Sequence, residues 1–595
     1  MNVLGLKIVG HDTGASVISN GRVVAIAEER LNREKYSGVF PRLSIEYCLK
    51  ALELRAEDID LIVADQIDHV TKYPVAEILT REVGARFSRA KIVVANHHDT
   101  HAASAFFCSP FDEAAVMVYD GSGEKFLSPL GVPVTETETM YIGRGNELIE
   151  LQKGLHTRIG KYFPFTFGVG KLYEFITVYL GFTKFDAGKT MGLAPYGNED
   201  VLRRIPEEHW WTEWRGQCYC NAQIRHPARV DVSSSGGTSL LGRIMVKLRM
   251  VSRRAFAPLA KLVSGEYAIR SYDLFKPLQL PEPPRGKEVQ LPDTYYANVA
   301  FAVQTVLEHV VKQWARRAQR LTGSTYLCIA GGVGLNSVAN TMILKDCGFK
   351  DIWVQPACSD TGVAFGCALW GYHQVLKQPR FMKMDHAYLG REYSKEEVHK
   401  ALEQVADRIT WRTSTDIAKE TARYVADKKI VGFFQGGSEY GPRALGHRSI
   451  IVDARDPQMK DILNARVKKR EGWRPFAASV LDEMQETYFE IEPGHPASAF
   501  MLLVAAVKER QKSIIPSAVH VDGTCRLQTV SKQANGIYYD VIKAFHELTG
   551  VGLVVNTSYN LAGEPIVESP EDTLRTFLAT DMDVLVMNDV IITKK

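Results

Sequence analysis

The 595-residue sequence predicts an α/β protein built from more than one domain. Short apolar runs of strand length, such as residues 3–9, 61–64 and 326–330, alternate with stretches of helical period, such as Val299, Val303, Val306 and Val310. Glycine turns mark the joins between them. The length exceeds what one core fills, which sets an expectation of roughly two to four domains.

The elements follow in order. Residues 3–9 read as a strand, Gly10-His11-Asp12 as a turn, and residues 15–19 as a second strand. Asn20-Gly21 is a hairpin turn that returns residues 23–27 as the partner. A helix at 44–52 and a strand at 61–64 come next, then Ile92-Val93-Val94, which runs directly into His97-His98-Asp99-Thr100-His101. A strand entering a short, exposed helix start places His97 and His101 on one face, spaced to hold one divalent metal. Two carboxylates also follow strand-like runs, Asp120 after 114–119 and Asp360 after 352–354. Imidazoles and carboxylates from separate strand ends make a mixed N/O site suited to iron, manganese or zinc. The competing reading is solvated loop histidines and a turn aspartate.

Residues from about 205 to 290 break the alternation with Trp210-Trp211, a basic run and a proline-rich stretch, and read as an insertion. Asp293 then caps a helix, and the strand Tyr326–Ala330 leads into Gly331-Gly332-Val333-Gly334-Leu335-Asn336. Strand, glycine turn and helix together seat a nucleotide, because bare backbone N–H groups approach phosphate or ribose. A second glycine loop, from Asp186 to Ala194, offers Gly188 and adds Lys189 to meet an anionic group. The polar, proline-containing residues 377–385 read as a linker that divides unit 1–380 from unit 386–595.

Beyond the linker, cationic residues crowd beside glycine turns. Arg443, His447 and Arg448 fall between Gly441 and Ser449, followed by Lys468, Arg470, Arg474 and Arg526; Asn556 and Ser558 add amide and hydroxyl groups. Arginine grips phosphate bidentately and lysine acts as a mobile point charge, so a pocket drawing on them holds phosphate-bearing reactants. A plain basic surface is the competing reading. Ser569 and Pro570 open the last helix, and residues 584–587 and 590–593 form a final pair of strands.

A net charge of +3 is too weak to argue for nucleic acid. Nine cysteines occur without a C-x-x-C pair, as in a reducing compartment. No apolar run reaches the roughly 18 residues of a membrane span. The N-terminus enters a strand rather than a signal-peptide layout, so the expected location is cytoplasmic.

Taken together, Gly10-His11-Asp12, Glu28-Glu29-Arg30, the His97 to Ala105 segment, Gly188 to Gly197, Gly331 to Asn336, Gly441 to Ser449, Arg474-Pro475-Phe476-Ala477 and Asn556 to Asn560 resemble the O-carbamoyltransferase family of nodulation, cephamycin and tobramycin carbamoyltransferases. The resemblance covers nearly the whole chain apart from 205–290. It implies an N-terminal unit of the actin/sugar-kinase type, like the universal tRNA threonylcarbamoyl transferase. It also implies a C-terminal α/β unit like a carbamoyl-adenylate synthase (YrdC-like). In the implied reaction, carbamoyl phosphate and ATP, with Mg2+, give carbamoyl-adenylate in the C-terminal unit. The carbamoyl group then passes to a hydroxyl of a small-molecule acceptor at the N-terminal metal site.

The resemblance assigns His97, His101, Asp120 and Asp360 to the metal, with Fe2+ favoured over Mn2+ or Zn2+, His11 to general-base work and Lys35 to the transfer site. It places Gly331, Gly332 and Asn336 at adenosine, and Arg443, Arg448, Lys468, Arg474, Arg526 and Ser558 at ATP and carbamoyl phosphate. Cys525 departs from the family where a small residue such as Ala is expected, and Asp186-Ala187 where a Glu is expected. The expected partners are these reactants, not nucleic acid or membrane, and a homodimer is left open. The alternatives are a tRNA-threonylcarbamoylating enzyme and an actin-like ATPase or binding module. The second gives the C-terminal cations and the histidine pair no task. A hydrogenase-maturation carbamoyltransferase would carry C-x-x-C zinc fingers, which are absent.

Overall fold

In a computed structural model, the protein is described over residues 1–67, 74–127, 133–157, 166–205, 207–214, 217–221, 224–225, 278–280, 292–491 and 496–595. Most of the inserted stretch, including its basic run, lies outside the described residues. The first sheet takes the strand order Arg22–Ala27, Gly14–Ser19, Asn2–Lys7, Leu61–Gln66, Lys91–Asn96. Its first two pairings are antiparallel and the next two parallel. The hairpin is set by Asn20 and Gly21, both at positive φ (48° and 77°), as a turn matched to strand twist requires.

The second sheet repeats this plan. Glu113–Tyr119 pairs antiparallel with Pro133–Arg144, which pairs antiparallel with Glu147–Thr157. On its other side Glu113–Tyr119 runs parallel with Tyr326–Ala330, and that strand with Asp351–Val354. Two sheets with one strand order and one pattern of sense are the paired α/β halves of an actin/sugar-kinase-type unit. The third sheet has nine strands of mixed sense, all from residue 409 onward.

The two halves meet where the helix His97–Phe106 crosses the helix Val363–Trp370. Gly366 permits the crossing, since a Cβ there would stand 2.0 Å from the Thr100 carbonyl oxygen. Both helices begin at the candidate metal residues, so this packing brings the site together.

Residues 377–385 carry no regular structure but are pinned. The Arg380 guanidinium donates to the carbonyl oxygens of Phe106, Phe107, Ser109 and Phe111. The apolar core under the second sheet continues into Tyr440, Leu445, Trp473 and Phe500. Arg30 donates to the Gly441 carbonyl at 2.8 Å, Arg33 to those of Pro565 and Ile566 at 2.7 and 2.8 Å, and Tyr47 Oη to Glu568 at 2.6 Å. The segments before and after residue 380 are therefore joined by a continuous core and by hydrogen bonds.

Candidate metal and anion sites

The strand Lys91–Asn96 ends as the Asn96 side chain accepts the Asp99 N–H at 3.1 Å, which caps the helix and turns His97 and His101 inward. Both histidines are fully buried rather than at an exposed helix start, because the crossing helix Val363–Trp370 covers them. Asp120 follows Glu113–Tyr119 immediately, and Asp360 opens a single turn after Asp351–Val354. Ligand atoms of His97, His101, Asp120 and Asp360 lie within 4.8 Å of one another. His97 Nε2 stands 3.5 Å from Asp360 Oδ1 and 3.7 Å from Asp120 Oδ2, and His101 Nε2 is 3.5 Å from Asp360 Oδ1.

Neither Nε2 has a hydrogen-bond partner, although both are buried. A buried imidazole nitrogen left bare among carboxylates fits a metal ligand, since the cation satisfies both. Burial disfavours charge on His97, but Asp360, Asp120 and Asp65 outweigh it and raise its pKa well above the usual imidazole value. Lys7, His97 and His101 hold Asp360 well below the carboxylate range against the cost of burial. The pocket therefore calls for positive charge, which a proton or a metal supplies.

Two residues missed by the sequence reading complete the arrangement. Asp65, at the end of Leu61–Gln66, meets His97 Nδ1 at 2.9 Å and so turns Nε2 toward the cluster. Lys7 ends the first strand, with Nζ 3.4 Å from Asp65 and 3.5 Å from Asp360 Oδ2. Their signals were present: a lysine inside an apolar strand, and an acid directly after the apolar run 61–64.

His11 sits in the turn after the first strand, its side chain 41% exposed, with Nδ1 2.9 Å from Asp12 Oδ2 and Nε2 4.0 Å from Asp360 Oδ2. Burial lowers its pKa, yet the Asp12 hydrogen bond and Asp360 raise it overall. The Phe185 ring stands edge-on to His11 at 4.9 Å and stacks on Tyr36 at 4.2 Å. Lys35, next to Tyr36, has its pKa lowered by burial, with Arg474 and Lys189 adding to the effect.

The segment 186–194, expected as a loop, forms the helix Ala187–Leu193. Thr190 Oγ1 lies 2.8 Å from Thr177 Oγ1 on the neighbouring helix Val169–Tyr179, and this packing overrides the two glycines. Gly188 faces open space, while Lys189 stands 3.7 Å from Glu471. In the glycine turn, Gly331 has φ 89° and a Cβ there would lie 2.1 Å from the Tyr119 carbonyl oxygen, so only glycine fits. The Gly332 N–H donates to Asp120 Oδ1 at 3.3 Å, tying the turn to the metal cluster. Asn336 caps the helix Ser337–Asp346 and exchanges hydrogen bonds with Gln304.

The cationic residues gather beside this turn. Arg443 reaches the Leu335 carbonyl at 3.4 Å. Arg443 Nε and Arg526 Nε are buried without a hydrogen-bond partner, and neither guanidinium has an ion pair among the described residues. Burial, then neighbouring Arg443, lowers the Arg526 pKa well below its usual value. Burial likewise lowers Lys468, with Arg470, Arg474 and Lys35 adding to it. Lys468 Nζ donates to Ser558 Oγ at 3.3 Å and Asn560 Oδ1 at 3.0 Å. Burial and Arg474 push Arg470 down to about 9.

Two of the expected anion ligands are otherwise engaged. The Arg448 guanidinium is buried and donates to the carbonyls of Gln435, Gly436, His447 and Glu568. Asn556 donates to Ala444, Ser479 and Gln528 beneath the arginine loop.

No helix among the described residues is long and apolar enough to cross a membrane. A family model described as "Carbamoyltransferase N-terminus" matches residues 2–86 and 73–369, and "Carbamoyltransferase C-terminus" matches 422–594. An uncharacterized protein of Synechocystis is 33% identical over 100% of this chain and 97% of its own length. Nodulation protein NolNO of Sinorhizobium fredii is 33% identical over 98% of this chain and 79% of its own. Nodulation protein NolO of Bradyrhizobium diazoefficiens is 34% identical over 84% and 79%. With both models matched in order across the two halves of the molecule, this chain belongs to the carbamoyltransferase family.

Proposed function

We propose that the protein is an ATP-dependent O-carbamoyltransferase with its two half-reactions at separate sites, in units 1–380 and 386–595. The observation that carries the reading is the buried His97–His101–Asp120–Asp360 cluster beside the partly exposed His11. In the cationic pocket, carbamoyl phosphate loses phosphate to water. The resulting carbamate oxygen then displaces pyrophosphate from the α-phosphorus of ATP, giving carbamoyl-adenylate. Arg443, Arg526, Lys468 and Arg474 neutralise the phosphates there, in a setting where their charge is largely unscreened.

The acceptor hydroxyl oxygen then attacks the carbamoyl carbon of the adenylate at the N-terminal site, forming the carbamate ester as the bond to the phosphate oxygen breaks and AMP leaves. His11 takes the hydroxyl proton on Nε2, with Asp12 holding Nδ1–H and stabilising the imidazolium that forms. His97, His101, Asp120 and Asp360 would hold a divalent metal, Fe2+ in this reading, which would supply Lewis acidity. Lys35, at the transfer site in this reading, feels Glu29 and Asp186 as well as Arg474 and Lys189. Hydroxyls of aminoglycosides, β-lactams, macrolides and lipo-oligosaccharides are the acceptor classes that the family resemblance implies.

The test is pyrophosphate release by the purified protein with Mg2+ and no acceptor. Release should require both ATP and carbamoyl phosphate, and bicarbonate with threonine should not replace the latter. Release with ATP alone, or none under any condition, rules the proposal out.

A further inference from the structure

Lys7 is fully buried at the end of the first strand, a position where lysine is rarely found unless paired. It donates to the Val9 carbonyl, and its two carboxylate partners belong to the candidate metal site: Asp65, which orients His97, and Asp360. Asp360 is divided between two roles. Its Oδ1 faces His97 and His101 at 3.5 Å each, and its Oδ2 faces Lys7 at 3.5 Å and His11 at 4.0 Å. Lys7 therefore holds the oxygen that does not face the histidine pair.

The charges give this a consequence. Asp65, Asp120 and Asp360 contribute three negative charges around two imidazoles, and Lys7 cancels one of them. Asp12 faces His11 at 2.9 Å rather than the histidine pair. The remaining double negative charge matches a divalent ion. We infer that Lys7 is a positioning residue that tunes this site to divalent over trivalent cations, by fixing Asp360 and removing one unit of negative charge. The inference rests on the metal reading of the cluster.

The test is competitive equilibrium dialysis of the metal-free, full-length protein against citrate-buffered Zn2+ and Ga3+, with bound metal measured by mass spectrometry. A unit charge a few Å away is worth at least about tenfold at protein-like screening. Lys7→Met should shift the Ga3+ to Zn2+ ratio toward gallium by that factor or more. Asp65→Asn, which keeps Lys7 and removes a carboxylate, should shift it the opposite way. The double variant Lys7→Met/Asp65→Asn restores the net charge and should return to within about threefold of the unmodified protein. A lysine with only a packing role would not give opposite shifts that cancel. An unchanged ratio in Lys7→Met, or a double variant that stays shifted, overturns the role of Lys7. If Lys7→Met fails to fold, the Asp65→Asn and double-variant arms decide alone. If the unmodified protein binds neither ion, the metal reading itself fails, which is a separate result.

Discussion

Around Asp360 the protein gathers carboxylates and answers them from within: Lys7 contacts two of them and His97 contacts three. Around Arg526 it gathers cations and leaves them largely unanswered. Arg443 and Arg526 have no ion pair among the described residues, Lys468 meets neutral oxygens, and Arg474 stands 3.9 Å from Glu471. A pocket whose carboxylates are partly offset by a lysine of its own is less costly to leave unfilled. A pocket of largely part-buried cations with few ion pairs is costlier until an anion arrives, so it suits an anionic ligand that comes and goes. Both features predict that the pockets fail independently.

The largest effect that tests this contrast is separation of the half-reactions. His11→Asn should keep carbamoyl-dependent pyrophosphate release while acceptor carbamoylation falls about 10²–10⁴-fold, because an amide cannot take the hydroxyl proton. Arg474→Ala should do the reverse, stopping pyrophosphate release while leaving transfer from supplied carbamoyl-adenylate. Both products are measured on each variant. Equal loss of both in a folded His11→Asn protein would show that the sites are not separate.

A smaller effect probes the unanswered cations. Arg526→Met removes a part-buried guanidinium with no ion pair among the described residues, so the ligand-free protein should gain up to about 2 kcal/mol of stability while pyrophosphate release falls. Saturating ATP should raise the denaturation midpoint of the unmodified protein more than that of the variant, because the anion supplies the missing partner. A loss of stability in ligand-free Arg526→Met would mean that the fold already satisfies this charge.

The grouping of His97, His101, Asp120 and Asp360 was legible in the sequence because strand ends and the i, i+4 spacing are local features, and four such features converged on one point. Lys7 and Asp65 were not, because a charge within a strand reveals nothing about which neighbouring strand will meet it. The order of the first sheet decides that, placing Asn2–Lys7 directly beside Leu61–Gln66. Arg448 and Asn336 show a related limit. Their residue types suit ligand binding, but only three-dimensional structure shows their polar atoms already engaged by backbone carbonyls, a helix cap and Gln304. The helix Ala187–Leu193 was concealed by its glycines, whose low propensity is outweighed by packing that joins residues 13 apart. The paired halves were visible only as alternation, since strand order is not a local property.

The smallest effect concerns how the anionic side limits its own charge. Glu138 lies on Pro133–Arg144, 2% exposed, and accepts the Val169 N–H at 3.0 Å. Burial, with Asp120 nearby, raises its pKa from 4.5 to about 7, despite hydrogen bonds that favour the ionised form. A carboxyl whose pKa is raised on folding stabilises the protein fully below its unfolded value and loses that contribution as pH climbs through its folded value. The affected window thus runs from about 4.5 to just above 7. Glu138→Gln keeps the acceptor for Val169 and cannot ionise. The variant and the unmodified protein should differ least at pH 5, with the variant gaining roughly 1–2.5 kcal/mol on the unmodified protein by pH 8.5. Urea unfolding at the two pH values measures it. A constant difference would mean that Glu138 is ionised throughout, and that the cluster tolerates more negative charge than the contrast with the cationic pocket implies.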